Sequence, residues 1–205
     1  MNLNTHTTHI PCLITIFGAT GDLSHRKLFP SLFHLYQQDN VDEHIAIIGV
    51  GRRDYTNDFF REQVKQSIQK HVKDTHRLDE FMEHVFYFKN DVKEEQSYRE
   101  LLTFSNELDD KFKLEGNRLF YLAMAPQFFG PISDYLKASG LTATKGFKRL
   151  VIEKPFGSDF KSAEKLNNQL RQSFKEEEIF RIDHSIVKYI VQNMSLIQIC
   201  RCRQR

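Results

Sequence analysis

The sequence predicts an α/β fold, a mostly parallel sheet with helices on both faces, and three observations carry the prediction. Six apolar, β-branched or aromatic runs occur at Cys12 to Phe17, Ile45 to Val50, Val85 to Phe88, Arg118 to Ala123, Arg149 to Glu153 and Ile179 to Ile182. Longer segments with helical periodicity separate them, such as Leu28, Leu32, Leu35 and Tyr36 on one face and Phe60, Val64, Ile68 and Val72 on another. A glycine turn, Gly18-Ala19-Thr20-Gly21, stands directly after the first run. Strands alternating with crossover helices imply parallel pairing and right-handed connections, and the glycine turn makes the sheet Rossmann-like and doubly wound. Ser158 before Asp159 and Phe160 predicts an N-cap for a helix through Phe174, and Ala125-Pro126 predicts a strand end just before another helix. No repeat or Pro/Gly-rich linker divides the chain, so residues 1–205 read as one coenzyme domain with its core at about 12–184.

Composition narrows the function classes. With 40% hydrophobic and 27% charged residues in 205, the chain is of ordinary globular make-up, which excludes disordered and collagen-like classes. A net charge of +2, with basic and acidic residues interleaved, gives no field suited to nucleic acid. The first ten residues are polar and no apolar run reaches the length of a membrane span, so the expected location is cytoplasmic, with no membrane partner. Cys12, Cys200 and Cys202 form neither a disulfide framework nor a metal-ligand spacing, in keeping with a reducing compartment and no metal.

Chemistry concentrates at strand ends. In an open parallel sheet ligands bind at the carboxyl ends of the strands. Gly18 and Gly21, between the first strand and its helix, let backbone N–H groups and the helix N-terminus face a dinucleotide pyrophosphate; a plain structural turn would use the same glycines. Gly51-Arg52-Arg53 ends the second strand, where NAD-binding folds commonly place an acidic residue for the ribose hydroxyls. A guanidinium at Arg52 pairs instead with a 2′-phosphate and favours NADP, against the alternative of a solvated strand-end charge. Lys154 follows the fifth strand, and Pro155 restricts it to extended geometry; the alternatives are an ammonium held in the crevice or an exposed turn lysine. Asp183-His184 follows the sixth strand, with Lys188 one helical turn on, a pattern that suits an orienting carboxylate and two cations for a phosphate.

Taken in order, Gly18-Ala-Thr-Gly-Asp-Leu23, Arg26-Lys27-Leu28, Tyr121-Leu-Ala-Met-Ala-Pro126, Glu153-Lys-Pro-Phe-Gly157 and Arg181-Ile-Asp-His184 resemble the glucose-6-phosphate dehydrogenase family, from about Thr15 to Asn193. The resemblance implies that Gly18, Ala19, Thr20, Gly21, Asp22 and Leu23 with Arg52 hold NADP. It implies contacts from Asp91 and Val92 at the third strand's end, and a bridge from Lys154 between cofactor and sugar. His184 and Lys188 would bind glucose 6-phosphate. Asp183 would orient a histidine base that the family carries further along. The family moves a hydride from sugar C1 to the nicotinamide and yields the lactone and NADPH in the oxidative pentose phosphate pathway. Its members also carry a large second domain, which the resemblance expects to be missing here and supplied by a separate chain.

Departures gather near the end. The family's Asp-His-Tyr-Leu-Gly-Lys is Asp183-His184-Ser185-Ile186-Val187-Lys188 here, which removes a tyrosine and a glycine from the phosphate pocket. The tail Ile199-Cys-Arg-Cys-Arg-Gln-Arg205 does not resemble the family's continuation, but codons exist for it that spell Phe-Ala-Asp-Ala-Val-Asn when read one nucleotide later. The expectation is a shifted reading frame and a chain without turnover of its own. Two other readings stand beside this one, an NADP-binding remnant and another NAD(P)-dependent sugar oxidoreductase of the glucose-fructose oxidoreductase kind.

Overall fold

A computed structural model describes residues 10–37, 44–156 and 159–182. The six strands are β1 (Cys12–Phe17), β2 (Ile45–Gly51), β3 (Val85–Lys89), β4 (Arg118–Leu122), β5 (Lys148–Glu153) and β6 (Ile179–Ile182). They form one sheet in the order β3-β2-β1-β4-β5-β6, and every pairing is parallel. This order has its topological switch between β1 and β4, where a crevice opens at the carboxyl edge.

The central strands are buried on both faces, which is why Cys-Leu-Ile-Thr-Ile-Phe in β1 reads as an unbroken apolar run. Alternate residues serve different cores. Cys12, Ile14 and Ile16 pack with Phe29, Phe33, Phe60 and Phe81 beneath α1 (Phe29–Gln37), α2 (Asn57–His71) and α3 (Leu78–Met82). Leu13 and Phe17 pack with Tyr98, Leu101, Phe129 and Leu170 beneath α4 (Glu95–Phe112), α5 (Phe129–Ala138) and α6 (Phe160–Leu170). In α2, Phe60, Val64 and Ile68 are fully covered, as their spacing predicts.

Both boundaries of α6 differ from the sequence reading. The cap of α6 is Asp159, whose carboxylate accepts from the Ser162 amide at 2.8 Å while the Ser162 hydroxyl meets the Asp159 amide, a reciprocal capping box; Ser158 lies outside the described residues. The helix stops at Leu170 rather than Phe174, because the chain tightens into a turn in which the Ser173 and Phe174 amides both donate to Leu170 O, returning Phe174 to the core. No described helix is long and apolar enough to cross a membrane.

Candidate functional site

The carboxyl edge is organised around Gly18. Its φ of +83° belongs to the left-handed region, and a Cβ there would stand 2.2 Å from Ala123 O, so the turn needs glycine for both reasons. The amides of Gly18 and Ala19 both donate to Val50 O at 3.1 Å, and the Ala123 amide donates to Phe17 O at 2.9 Å. These bonds fasten the end of β1 to the ends of β2 and β4. The turn closes on itself through Gly21 N to Gly18 O and Ser24 Oγ to Gly18 O. It then enters a π-helical turn, Ser24–Leu28, that runs directly into α1. A helix start next to a glycine turn is the arrangement that accepts a pyrophosphate. Arg26 pairs with Asp22 at 3.1 Å, but both are well exposed and the pair contributes little to stability.

At the end of β2 the missing side chain of Gly51 leaves room for Thr20, whose Cγ2 is 3.0 Å from where a Cβ would be. Arg52 therefore emerges beside the turn. It is exposed and, among the described residues, makes no hydrogen bond or ion pair. Arg53 is its opposite: its guanidinium donates to Tyr55 Oη at 2.7 Å and lies over the Tyr55 ring, and its carbonyl accepts from Tyr87 Oη at 2.6 Å. Of the two arginines, Arg52 is the one left to meet an anion.

After β3 the Asn90 amide donates to Gly51 O, which carries the chain to the same edge. Asp91 caps the next turn, accepting from the Lys93 amide at 3.1 Å. The Val92 side chain lies in the core and its carbonyl accepts from Tyr98 Oη at 2.9 Å. Asn90 itself is 1% exposed, and neither polar atom of its carboxamide has a partner among the described residues. A buried amide left so is costly. Sequence reading missed it, since a polar residue directly after a strand looks like ordinary loop chemistry.

On the other side of the switch, Lys154 is exposed at the end of β5. Its amide donates to Ile182 O, and its bond to Pro155 is cis. Pro155 and Phe156 wall a cavity of about 540 Å³ with Pro126, Pro131 and Leu166 on the α5 and α6 side. Behind Lys154, Glu153 is buried and accepts a hydrogen bond from Tyr121 Oη of β4. Burial first, and the adjacent carboxylate second, push the Tyr121 phenol far up, so it stays a donor. Asp183, His184 and Lys188 lie outside the described residues.

The strand order, the glycine turn at the switch and the uncommitted cation at the end of β2 define a dinucleotide-binding domain of the doubly wound class. The chain belongs to the glucose-6-phosphate dehydrogenase family: residues 15–193 match the family described as Glucose-6-phosphate dehydrogenase, NAD binding domain. It is 50% identical over 186 residues to glucose-6-phosphate 1-dehydrogenase of Bacillus subtilis, covering 91% of this chain and 38% of that protein. To the Leuconostoc mesenteroides enzyme it is 42% identical over 191 residues, 93% of this chain and 39% of the other. A solved glucose-6-phosphate dehydrogenase in complex with its substrate glucose-6-phosphate superposes with a TM-score of 0.79 at 37% identity, covering 93% of this chain and 40% of that one. The chain thus spans well under half the length of these relatives.

Proposed function

We propose that this chain is the NADP-binding part of a glucose-6-phosphate dehydrogenase, in which the protein as a whole oxidises glucose 6-phosphate at C1. The observation that carries the NADP choice is Arg52, uncommitted beside Thr20 and Gly51 while Arg53 is tied to Tyr55 and Tyr87. Gly18, Ala19, Thr20, Gly21, Asp22 and Leu23 form the turn that borders the pyrophosphate, its shape held by the bonds of the Gly18, Ala19 and Gly21 amides. Arg52 takes the 2′-phosphate, whose charge a planar guanidinium matches with two parallel hydrogen bonds. Asp91 and the peptide of Val92 border the adenosine half. When bound, NADP supplies the hydride acceptor.

On the sugar side we assign Lys154 to the junction of cofactor and substrate, His184 and Lys188 to the sugar phosphate, and Asp183 to orienting the base. Lys154 fits because its strand ends at the crevice and its backbone is fixed by the Ile182 bond and by Pro155. The whole domain, 1–205, is read as this coenzyme unit, working with the second domain that a separate chain would provide, and we place it in the cytoplasm. The experiment is calorimetric titration of the chain with NADP and with NAD, beside an assay for NADPH formation from glucose 6-phosphate. Binding of NADP in preference to NAD supports the reading; equal affinity, or none, refutes the role of Arg52. NADPH formation by this chain alone would refute the need for a second domain.

A further inference from the structure

Between the glycine turn and the arginines at the end of β2 stands a histidine whose ring makes no hydrogen bond among the described residues. His25 lies in the π-helical turn Ser24–Leu28, and its amide donates to Gly21 O at 3.2 Å. Its ring is half-buried, 5.8 Å from the Phe29 ring of α1 and 6.4 Å from the Phe60 ring of α2. Phe60 in turn fills the space that a side chain at Gly49 of β2 would need, beside Ala19 of the glycine turn. The imidazole is thus held near the carboxyl ends of β1 and β2, where the glycine turn meets the start of α2.

Its surroundings bear on its charge from several elements. Burial against the two phenylalanines comes first and disfavours an imidazolium; Asp22, of its own turn, favours one, and Arg53, at the end of β2, opposes one. Together they hold the ring below the ordinary histidine value. Asp22 is itself shared with Arg26 at 3.1 Å, so the ring has no counter-ion to itself among the described residues. A phosphate would supply both a counter-ion and a hydrogen-bond acceptor. That Arg53 acts on the ring puts it on the β2 side of the turn, away from β4. There Thr20 lies against Gly51, and Arg52 follows directly.

On the NADP assignment above, on which this rests, we infer that His25 is a second cation for the 2′-phosphate, one that takes up a proton as NADP binds and so makes the affinity for NADP, and not for NAD, fall as the pH rises. The sign follows from linkage. The phosphate raises the value of the bound ring above that of the free one, so the contact is complete below the free value and is lost as the pH rises through the bound one.

Calorimetry with NADP, NAD and 2′,5′-ADP between about pH 5.5 and about pH 8 tests this on the wild-type chain, His25→Gln and His25→Lys, in two buffers of different ionisation heat to count protons. The 2′-phosphate itself titrates near about pH 6, so the wild type is read against His25→Gln at each pH. His25→Gln is expected to weaken NADP and 2′,5′-ADP roughly three- to tenfold at about pH 6, the size of one charge-assisted contact partly screened by water, and to match the wild type at about pH 8. It should also take up fewer protons, while NAD affinity stays unchanged. His25→Lys, cationic throughout, should bind NADP tightly across the range. Should His25→Gln fail to fold, the wild type decides by proton uptake at about pH 7, where the phosphate is almost fully ionised: uptake with NADP and none with NAD supports the inference, and no uptake overturns it. Equal affinities of wild type and His25→Gln at every pH, or a loss shared equally by NAD, would also overturn it. A wild-type chain that binds none of the three ligands overturns the cofactor assignment itself, a distinct result.

Discussion

Arg52 and Arg53 are neighbours in sequence and both exposed, but among the described residues only Arg53 has its guanidinium held by a partner, and that contrast carries the cofactor choice. Arg52→Ala should cost NADP affinity on the order of 10- to 100-fold, the range of a lost charge-assisted pair, and leave NAD affinity nearly unchanged, as read by calorimetry. Arg53→Ala should mainly remove the guanidinium's bond to Tyr55 and lower the melting temperature, while the Tyr87 bond, made to the main-chain carbonyl, stays. A second residue-scale prediction concerns Glu80, far from the crevice. Arg77 grips its carboxylate at 2.9 and 3.0 Å and Tyr36 Oη donates to it at 2.6 Å; the Arg77 bonds first, then Tyr36, hold its carboxyl down at about 2 from a usual 4.5. A carboxyl depressed on folding stabilises above its unfolded value, and the gain is lost as pH falls from about 4.5 through about 2. The side chain is 49% exposed, so solvent keeps the effect modest. Wild type and Glu80→Gln should therefore differ in melting temperature at neutral pH and converge as the solution approaches pH 2; a gap that persists there would contradict the assignment. Single residues were unevenly legible. Gly18 announced itself by its place after β1, and Arg52 by replacing an expected acid. The Tyr121–Glu153 pair joins strands whose register sequence does not show, and Asn90 is special only because its surroundings offer it no partner.

At the scale of elements, strand positions were legible because apolar runs bounded by turns leave little choice. Their ends were less so: β2 extends to Gly51, β3 to Lys89 and β5 starts at Lys148, since the ladder continues past the apolar residues as long as a neighbour can pair. The five-residue helix α3 had no periodic signal long enough to separate it from its charged flanks. The start of α6 shows how local chemistry settles a boundary. Ser158 and Asp159 are both good caps, and the serine at Ser162, three residues after Asp159, completes the reciprocal pair only with the aspartate. Asp159→Ala should cost about 1 kcal/mol, roughly 2–4 °C in melting temperature for a domain of this size, measured by thermal unfolding. No loss would mean that the box is not formed in solution. At the end of α4, Lys113 occupies a left-handed position, φ 55°, where glycine is usual. Lys113→Gly should leave the stability unchanged or raise it, and a clear fall would show that the side chain has a role the backbone does not reveal.

For the molecule as a whole, the order β3-β2-β1-β4-β5-β6 brings the glycine turn, Arg52, Asp91 and Lys154 to one edge, although they come from segments far apart in sequence. That convergence was legible as a consequence of parallel pairing, since every strand must end on the same side. What remained hidden was the division of labour along the edge: exposed cations at Arg52 and Lys154, and buried polar groups at Asn90, Tyr121 and Glu153. The most direct test is thermal unfolding of the chain over a range of NADP concentrations. A ligand that binds only the folded state raises stability by about 2.7 kcal/mol at one hundred times its dissociation constant, so the melting temperature should climb steadily with NADP and far less with NAD at equal concentration. A melting temperature indifferent to NADP, or raised equally by both dinucleotides, would contradict the account.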